Sequence, residues 1–177
     1  MTLSAIPYEE LNYKAFSIWK GQGVLLTSGD YEKGRYNTMT IGWGSLGVIW
    51  SIPFALVAVR PTRYTYKFME LYDSFTLSAF PPAYRSALDL LGTKSGRDGD
   101  KIGESGLTVI PSQSVTSPAF AEAELILECR KNFWTDLDPS HFLDKRIENS
   151  YPLKDYHRIY FGLVSGVFGS EIYRSKI

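Results

Sequence analysis

Apolar and polar residues alternate in short runs along most of this chain, and glycine, proline or aspartate bounds the runs, a pattern of strands separated by turns. Gln22 to Ser28 (QGVLLTS) leads into Gly29-Asp30, which reads as a turn, and Tyr36 to Trp43 follows after Gly34 to complete a hairpin. Ala55 to Arg60 gives a third strand and Ser74 to Phe80 (SFTLSAF) a fourth. In Glu124 to Arg130, Leu125, Leu127 and Cys129 share one face while Glu124, Glu128 and Arg130 share the other, which marks a fifth. Tyr156 to Phe168 supplies a long sixth, interrupted by Gly162 and Gly166.

Two helices fall between these strands. Thr62 to Leu71 starts after Pro61 with a hydroxyl suited to capping, and Tyr64, Phe68, Leu71 and Tyr72 lie on one stripe. Pro82 to Leu91 is the second, with Pro82 suited to the first helical position and Gly92 to the residue just past the end. The basic, glycine-rich stretch Gly92 to Gly106 holds one helical turn at Asp100 to Ser105. Six strands with two to three helices predict a mainly β fold, an antiparallel barrel with peripheral α-helices.

A length of 177 residues suits a single domain over 1–177, with residues 1–14 as an N-terminal arm. Lys plus Arg equals Asp plus Glu at 19 each, so no long-range field draws in a polyanion, and no nucleic-acid partner is expected. The 12 Tyr, 10 Phe and 4 Trp supply flat surfaces on which a planar ring can lie. The single cysteine, Cys129, excludes an intrachain disulfide, and the first ten residues lack a basic start and apolar stretch, so the expected setting is cytoplasmic. Tyr36 to Val59 carries no charge over a bilayer-spanning length, but Gly42, Gly44, Gly47 and Pro53 would break such a helix, so no membrane span is expected.

Most familiar chemistry is excluded by spacing. Gly42-Trp-Gly44-Ser-Leu-Gly47 matches GxGxxG, yet a dinucleotide site needs a helix directly after the glycines and an acid near residue 62; Pro53 stops the helix and no acid occurs before Glu70. Asp98, Asp100 and Gly103 hint at a calcium loop, but Ile102 and Val109 occupy positions that require oxygen ligands. His141, His157 and Cys129 stand at no metal-ligand spacing, and no serine sits in GxSxG, so neither a metal nor a catalytic nucleophile is expected.

Two constellations remain. Arg60-Pro61-Thr62-Arg63-Tyr64-Thr65 lies where a buried strand gives way to a helix, so free N–H groups, two hydroxyls and two guanidinium groups converge as an anion site; the competing reading is a capped helix with solvated arginines. Lys94, Arg97 and Lys101 add positive charge from the glycine-rich loop. Asn37-Thr38-Met39-Thr40-Ile41-Gly42-Trp43 offers uncharged hydrogen-bonding groups beside an indole face, which suits the edge of a planar ring; the competing reading buries Met39, Ile41 and Trp43 in the core.

Taken together, NTMTIGW at Asn37 to Trp43, RPTRYTY at Arg60 to Tyr66, SGRDGDK at Ser95 to Lys101, AEAELILECR at Ala121 to Arg130 and DYHRIYFG at Asp155 to Gly162 resemble the flavin reductase-like family of FMN-binding split barrels, in order across residues 15 to 170. The resemblance implies a six-stranded Greek-key split β-barrel, a homodimer with FMN near the interface, and transfer of hydride to FMN from NADH or NADPH; a non-enzymatic FMN-binding electron carrier is the alternative. It implies a cofactor set of Asn37, Thr38, Met39, Thr40, Trp43, Arg60, Thr62, Arg63, Thr65 and Lys101, with Thr62, Arg63 and Thr65 at the phosphate or ribityl chain and Asn37 and Trp43 near the isoalloxazine. His141 and His157 are implied on the substrate side.

Overall fold

Strands that are apolar on both faces need cover on both sides, and the architecture supplies it. The computed structural model of the chain describes residues 3–175. Its strands are β1 (Ser4–Ala5), β2 (Val24–Asp30), β3 (Arg35–Ile41), β4 (Gly44–Ile49), β5 (Ile52–Val59), β6 (Ser74–Ala79), β7 (Val109–Ile110), β8 (Ala119–Phe120), β9 (Leu125–Asp136) and β10 (Arg158–Gly169). The helices are α1 (Tyr64–Leu71), α2 (Arg85–Thr93) and α3 (Lys101–Ser105). The main sheet runs β3-β2-β6-β9-β10-β5-β4, antiparallel throughout, with β1 added onto β10. Its two edges, β3 and β4, are consecutive in the chain and joined only by Gly42-Trp43, so the sheet has to curl until its edges meet. No ladder joins them, and the result is a split barrel.

The barrel interior packs Val24, Leu26, Val57, Val59, Phe75, Leu77, Leu127, Cys129 and Tyr160 into one buried cluster. A second cluster lies outside the wall, where Leu88 and Leu91 of α2 join Phe120, Leu25 and Ile126. Burial on both faces explains why β2 is closed to solvent at every position. Within the barrel, hydroxyls pair with each other and with backbone: Thr27 Oγ1 donates to Thr38 Oγ1, and Ser28 Oγ donates to the carbonyl of Ser74.

Three expectations change. The turn expected at Gly29-Asp30 is the last part of β2, and the chain reverses at Tyr31 to Gly34. Gly29 is needed for close approach: its φ is 147°, and a Cβ there would lie 2.3 Å from the carbonyl oxygen of Arg35. Gly29→Ala is expected to cost at least about 2 kcal/mol, read as a shift of the urea midpoint at unchanged slope. β4 is a strand beyond the six expected, hidden by glycines that read as loop; a Cβ on Gly44 would lie 2.6 Å from the Trp19 ring and 2.7 Å from the Leu56 carbonyl. Third, Gly92 lies inside α2 against Thr40, not past its end, and Pro82–Tyr84 forms a separate single turn before α2 begins. Glu128, on the face of β9 opposite Leu127 and Cys129, is also covered. It is 1% exposed and accepts the N–H groups of Gln113 and Ser114 and the Ser114 hydroxyl, which pins the 109–120 segment across the sheet.

The GxGxxG stretch forms β4 and not a helix N-terminus, as its sequence context requires. Among the described residues no helix is long and apolar enough to cross a membrane. Residues 3–14 pack onto the barrel through β1, a turn at Tyr8–Glu10 and a bridge between Leu11 and Arg174.

Candidate functional site

α1 begins where β5 leaves the barrel, and that junction places a helix start beside the 92–101 loop and the face of β3. Arg63 occupies the residue before the first helical turn, in extended conformation, and makes no side-chain cap. Among the described residues the backbone N–H groups of Tyr64 and Thr65 therefore have no protein acceptor. Both residues line a cleft of about 130 Å³, together with Asn37, Arg63, Lys94, Arg97 and Lys101. No carboxylate lines it.

The hydrogen-bonding state of each group follows from its partner. Asn37 is buried and its Nδ2 donates to Thr65 Oγ1 at 2.7 Å, so the Thr65 hydroxyl keeps its own proton to donate. Asn37 Oδ1 receives no hydrogen bond from the described residues. Lys101 is 4% exposed, and its ammonium donates to the Leu91 carbonyl at 2.8 Å. Burial first, and the neighbouring Arg63 second, push the Lys101 ammonium down to about 8. The Asp100 carboxylate caps α3 through the Gly103 N–H, which fixes Lys101 at the helix start. Lys94 is paired with Glu104 at 2.6 Å, and Arg97 donates to the Thr62 carbonyl and lies over the Tyr64 ring. Among the described residues the Arg63 guanidinium has no hydrogen-bond, ion-pair or ring partner.

A second cleft of about 250 Å³ shares Met39, Thr40 and Arg63 with the first and extends along Ile41 to Trp43, Ala58, Arg60 and His157. Its wall is a pair of rings, Trp43 and His157, 4.4 Å apart and tilted by 32°. Tyr151 holds the imidazole through a 2.8 Å hydrogen bond to Nδ1. Burial, then the nearby Arg60, push the His157 imidazole down to about 4, so it is neutral at ordinary pH. Because the unfolded chain binds that proton more readily, the stability this site contributes above pH 6.5 is lost as pH falls from 6.5 to about 4. Urea unfolding across that window is expected to show the loss, and His157→Phe is expected to flatten it.

The structure gathers most of the expected residues and redirects several. Asn37, Met39, Thr40, Trp43, Thr62, Arg63, Thr65, Lys101 and His157 line one or both clefts. Thr40 spends its hydroxyl on the Leu88 carbonyl at 2.5 Å. Thr38 is turned into the barrel, fully buried, where its Oγ1 donates to the Leu26 carbonyl. Alternation along β3 sends Thr38 to the face opposite Asn37. Arg60 lines the second cleft, but its guanidinium is held by Asp155 at 3.0 Å and by the Ser150 carbonyl at 2.7 Å. Thr62 likewise leans on Asp155. His141 lies in neither cleft of its own chain; its side chain is 82% exposed on the β9–β10 connection. Sequence reasoning missed the roles of Asp155, which holds Arg60 from 95 residues away, and of Tyr151, which holds His157 from six residues away, because no periodic pattern marks either pairing.

Residues 20–137 match the model of a family described as the flavin reductase like domain. An uncharacterised protein of Pyrococcus abyssi is 33% identical over 96 residues, and the match spans about half of either chain, 52% of each. Among solved structures, an FMN-binding domain of a flavin reductases-like enzyme from Shewanella baltica superposes with a TM-score of 0.68 at 18% identity, over 95% of this chain and 77% of that one. Flavoredoxin of Desulfovibrio vulgaris gives 0.65 at 22% identity, over 92% and 73%. The NADH:FAD oxidoreductase of Streptomyces globisporus gives 0.61 at 18%, over 82% and 74%. At these identities the superpositions establish the split-barrel fold.

Proposed function

The chain belongs to the flavin reductase like domain family, and from that premise we propose that it binds FMN across the two joined clefts and transfers hydride to it from NADH or NADPH. One observation carries the reading: a cationic cleft without carboxylates, at a helix start, shares Arg63 with a second cleft walled by an indole and a neutral imidazole. A molecule with a phosphate at one end and a planar ring at the other matches both halves.

The residues fit that group. The N–H groups of Tyr64 and Thr65, the Thr65 hydroxyl, the Lys101 ammonium and the Arg63 guanidinium are donors for a phosphate. Asn37 Oδ1, which has no partner, is an acceptor for a hydroxyl of the ribityl chain. When bound, FMN supplies the hydride acceptor. The chain's own contribution is to hold the ring against Trp43 and to keep the unpaired charge of Arg63 where negative charge develops. Arg60, already neutralised by Asp155, adds less. Anaerobic mixing of the FMN-loaded protein with NADH and then NADPH tests the activity. Rapid bleaching of the flavin by one of them supports it, and bleaching by dithionite alone would leave an FMN-binding electron carrier.

The same proposal includes a homodimer. Trp50 and Phe133, 58% and 46% exposed, meet edge to face with ring centroids 6.0 Å apart, and Trp50 projects from a β4–β5 turn held at positive φ. A sedimentation velocity mass of twice the chain is expected, with Trp50→Glu shifting it toward the monomer. A monomeric wild type would remove this part of the proposal.

A further inference from the structure

Glu124, just before β9, is 6% exposed, yet the protein uses only one of its carboxylate oxygens. Oε1 accepts the Tyr173 hydroxyl at 2.8 Å, whereas Oε2 has no donor and no cation within ion-pair distance among the described residues. Burial, then the bond to Glu124, raise the Tyr173 phenol, so it stays a donor. The deeply buried carboxylate within β9 is treated differently: Glu128 takes three hydrogen bonds at 2.6 to 2.7 Å. Oε2 is not closed off from solvent, so the space beside it offers a free acceptor to an occupant.

That space is a cavity of about 480 Å³, which shares no residue with the two clefts described above. Tyr13, Ile18, Ile172 and Tyr173 supply apolar and aromatic walls, and Lys14 stands exposed at the rim without reaching Glu124. No group of three His, Cys, Asp or Glu side chains gathers among the described residues, which argues against a metal ion as the occupant. We infer that this cavity binds a small organic cation, a protonated primary amine whose N–H groups fill the free acceptor of Glu124 and whose alkyl or aryl tail packs between Tyr13 and Tyr173. The carboxylate selects the charge, and the rings add attraction for an ammonium group.

Isothermal titration of the full chain with n-butylammonium chloride, against n-butanol as an uncharged probe of the same shape, tests this without any flavin. Saturable binding of n-butylammonium is expected, with n-butanol at least about tenfold weaker. Glu124→Gln keeps an acceptor for Tyr173 and is expected to weaken n-butylammonium by about tenfold or more. Absence of saturable binding, equal affinity for n-butanol, or unchanged affinity in Glu124→Gln would overturn the inference. Should Glu124→Gln fail to fold, Lys14→Met carries the test: removing the like charge at the rim tightens n-butylammonium if the site exists, and unchanged affinity counts against it.

Discussion

Arg63→Ala lowers the affinity for FMN by about ten- to a hundredfold and leaves riboflavin, which lacks the phosphate, nearly unaffected. Among the described residues Arg63 is the one cation of the phosphate cleft whose side chain has no protein partner: Lys94 is held by Glu104, Arg97 by the Thr62 carbonyl and Lys101 by the Leu91 carbonyl. A charge not already spent on a neighbour is fully available to an incoming phosphate, whereas removing Lys94 mainly breaks an existing pair. Arg63 is exposed at the helix start and makes no side-chain cap, so the substitution is expected to leave the fold intact. Equilibrium titration with FMN and riboflavin separates the outcomes. Equal loss of both would put Arg63 at the ring alone.

The affinity for FMN falls by about tenfold per pH unit above pH 8 in the wild type. The Lys101 ammonium sits at about 8 because burial and Arg63 disfavour its charge, and no carboxylate faces it to offset them. The groups around it are Arg63 at the start of α1 and Arg97 and Lys94 of the loop, with Glu104 committed to Lys94 and Asp100 to the cap of α3. A bound phosphate dianion favours the protonated form and raises that value. Below pH 8 Lys101 carries its proton with or without FMN, so affinity is level; above it, binding has to take up a proton. Lys101→Arg, charged throughout the range, is expected to flatten the profile at high affinity, and Lys101→Met to flatten it at low affinity. A profile for Lys101→Met as steep as that of the wild type would assign the proton to another group.

How much of this was legible in the chain depends on the reach of each interaction. β2, β6 and α1 announce themselves because their cores repeat at short period, and the helical turn expected at Asp100 to Ser105 is α3 with Asp100 as its cap. The gathering of Asn37, Arg63, Thr65 and Lys101 follows from the strand-to-helix junction at Arg60 and from the family resemblance. β4 was not legible, because Gly44 and Gly47 signal a loop unless one knows that Trp19 and Phe54 press against them. Alternation sets Glu128 on the face opposite Leu127 and Cys129, and the 113–114 backbone that folds over that face leaves no local signal. The commitment of Arg60 to Asp155, and of His157 to Tyr151, decides which cationic and aromatic groups remain free for a ligand, and these pairings leave no periodic trace.

The central claim is the position of FMN, and a crystal structure of the chain grown with FMN tests it most directly. The account predicts phosphate oxygens within hydrogen-bond distance of the Thr65 N–H, Arg63 and Lys101, with the isoalloxazine beside Trp43 and Met39. A flavin seated instead in the apolar groove along Tyr8, Val48 and Phe54, or a phosphate distant from the start of α1, would contradict it.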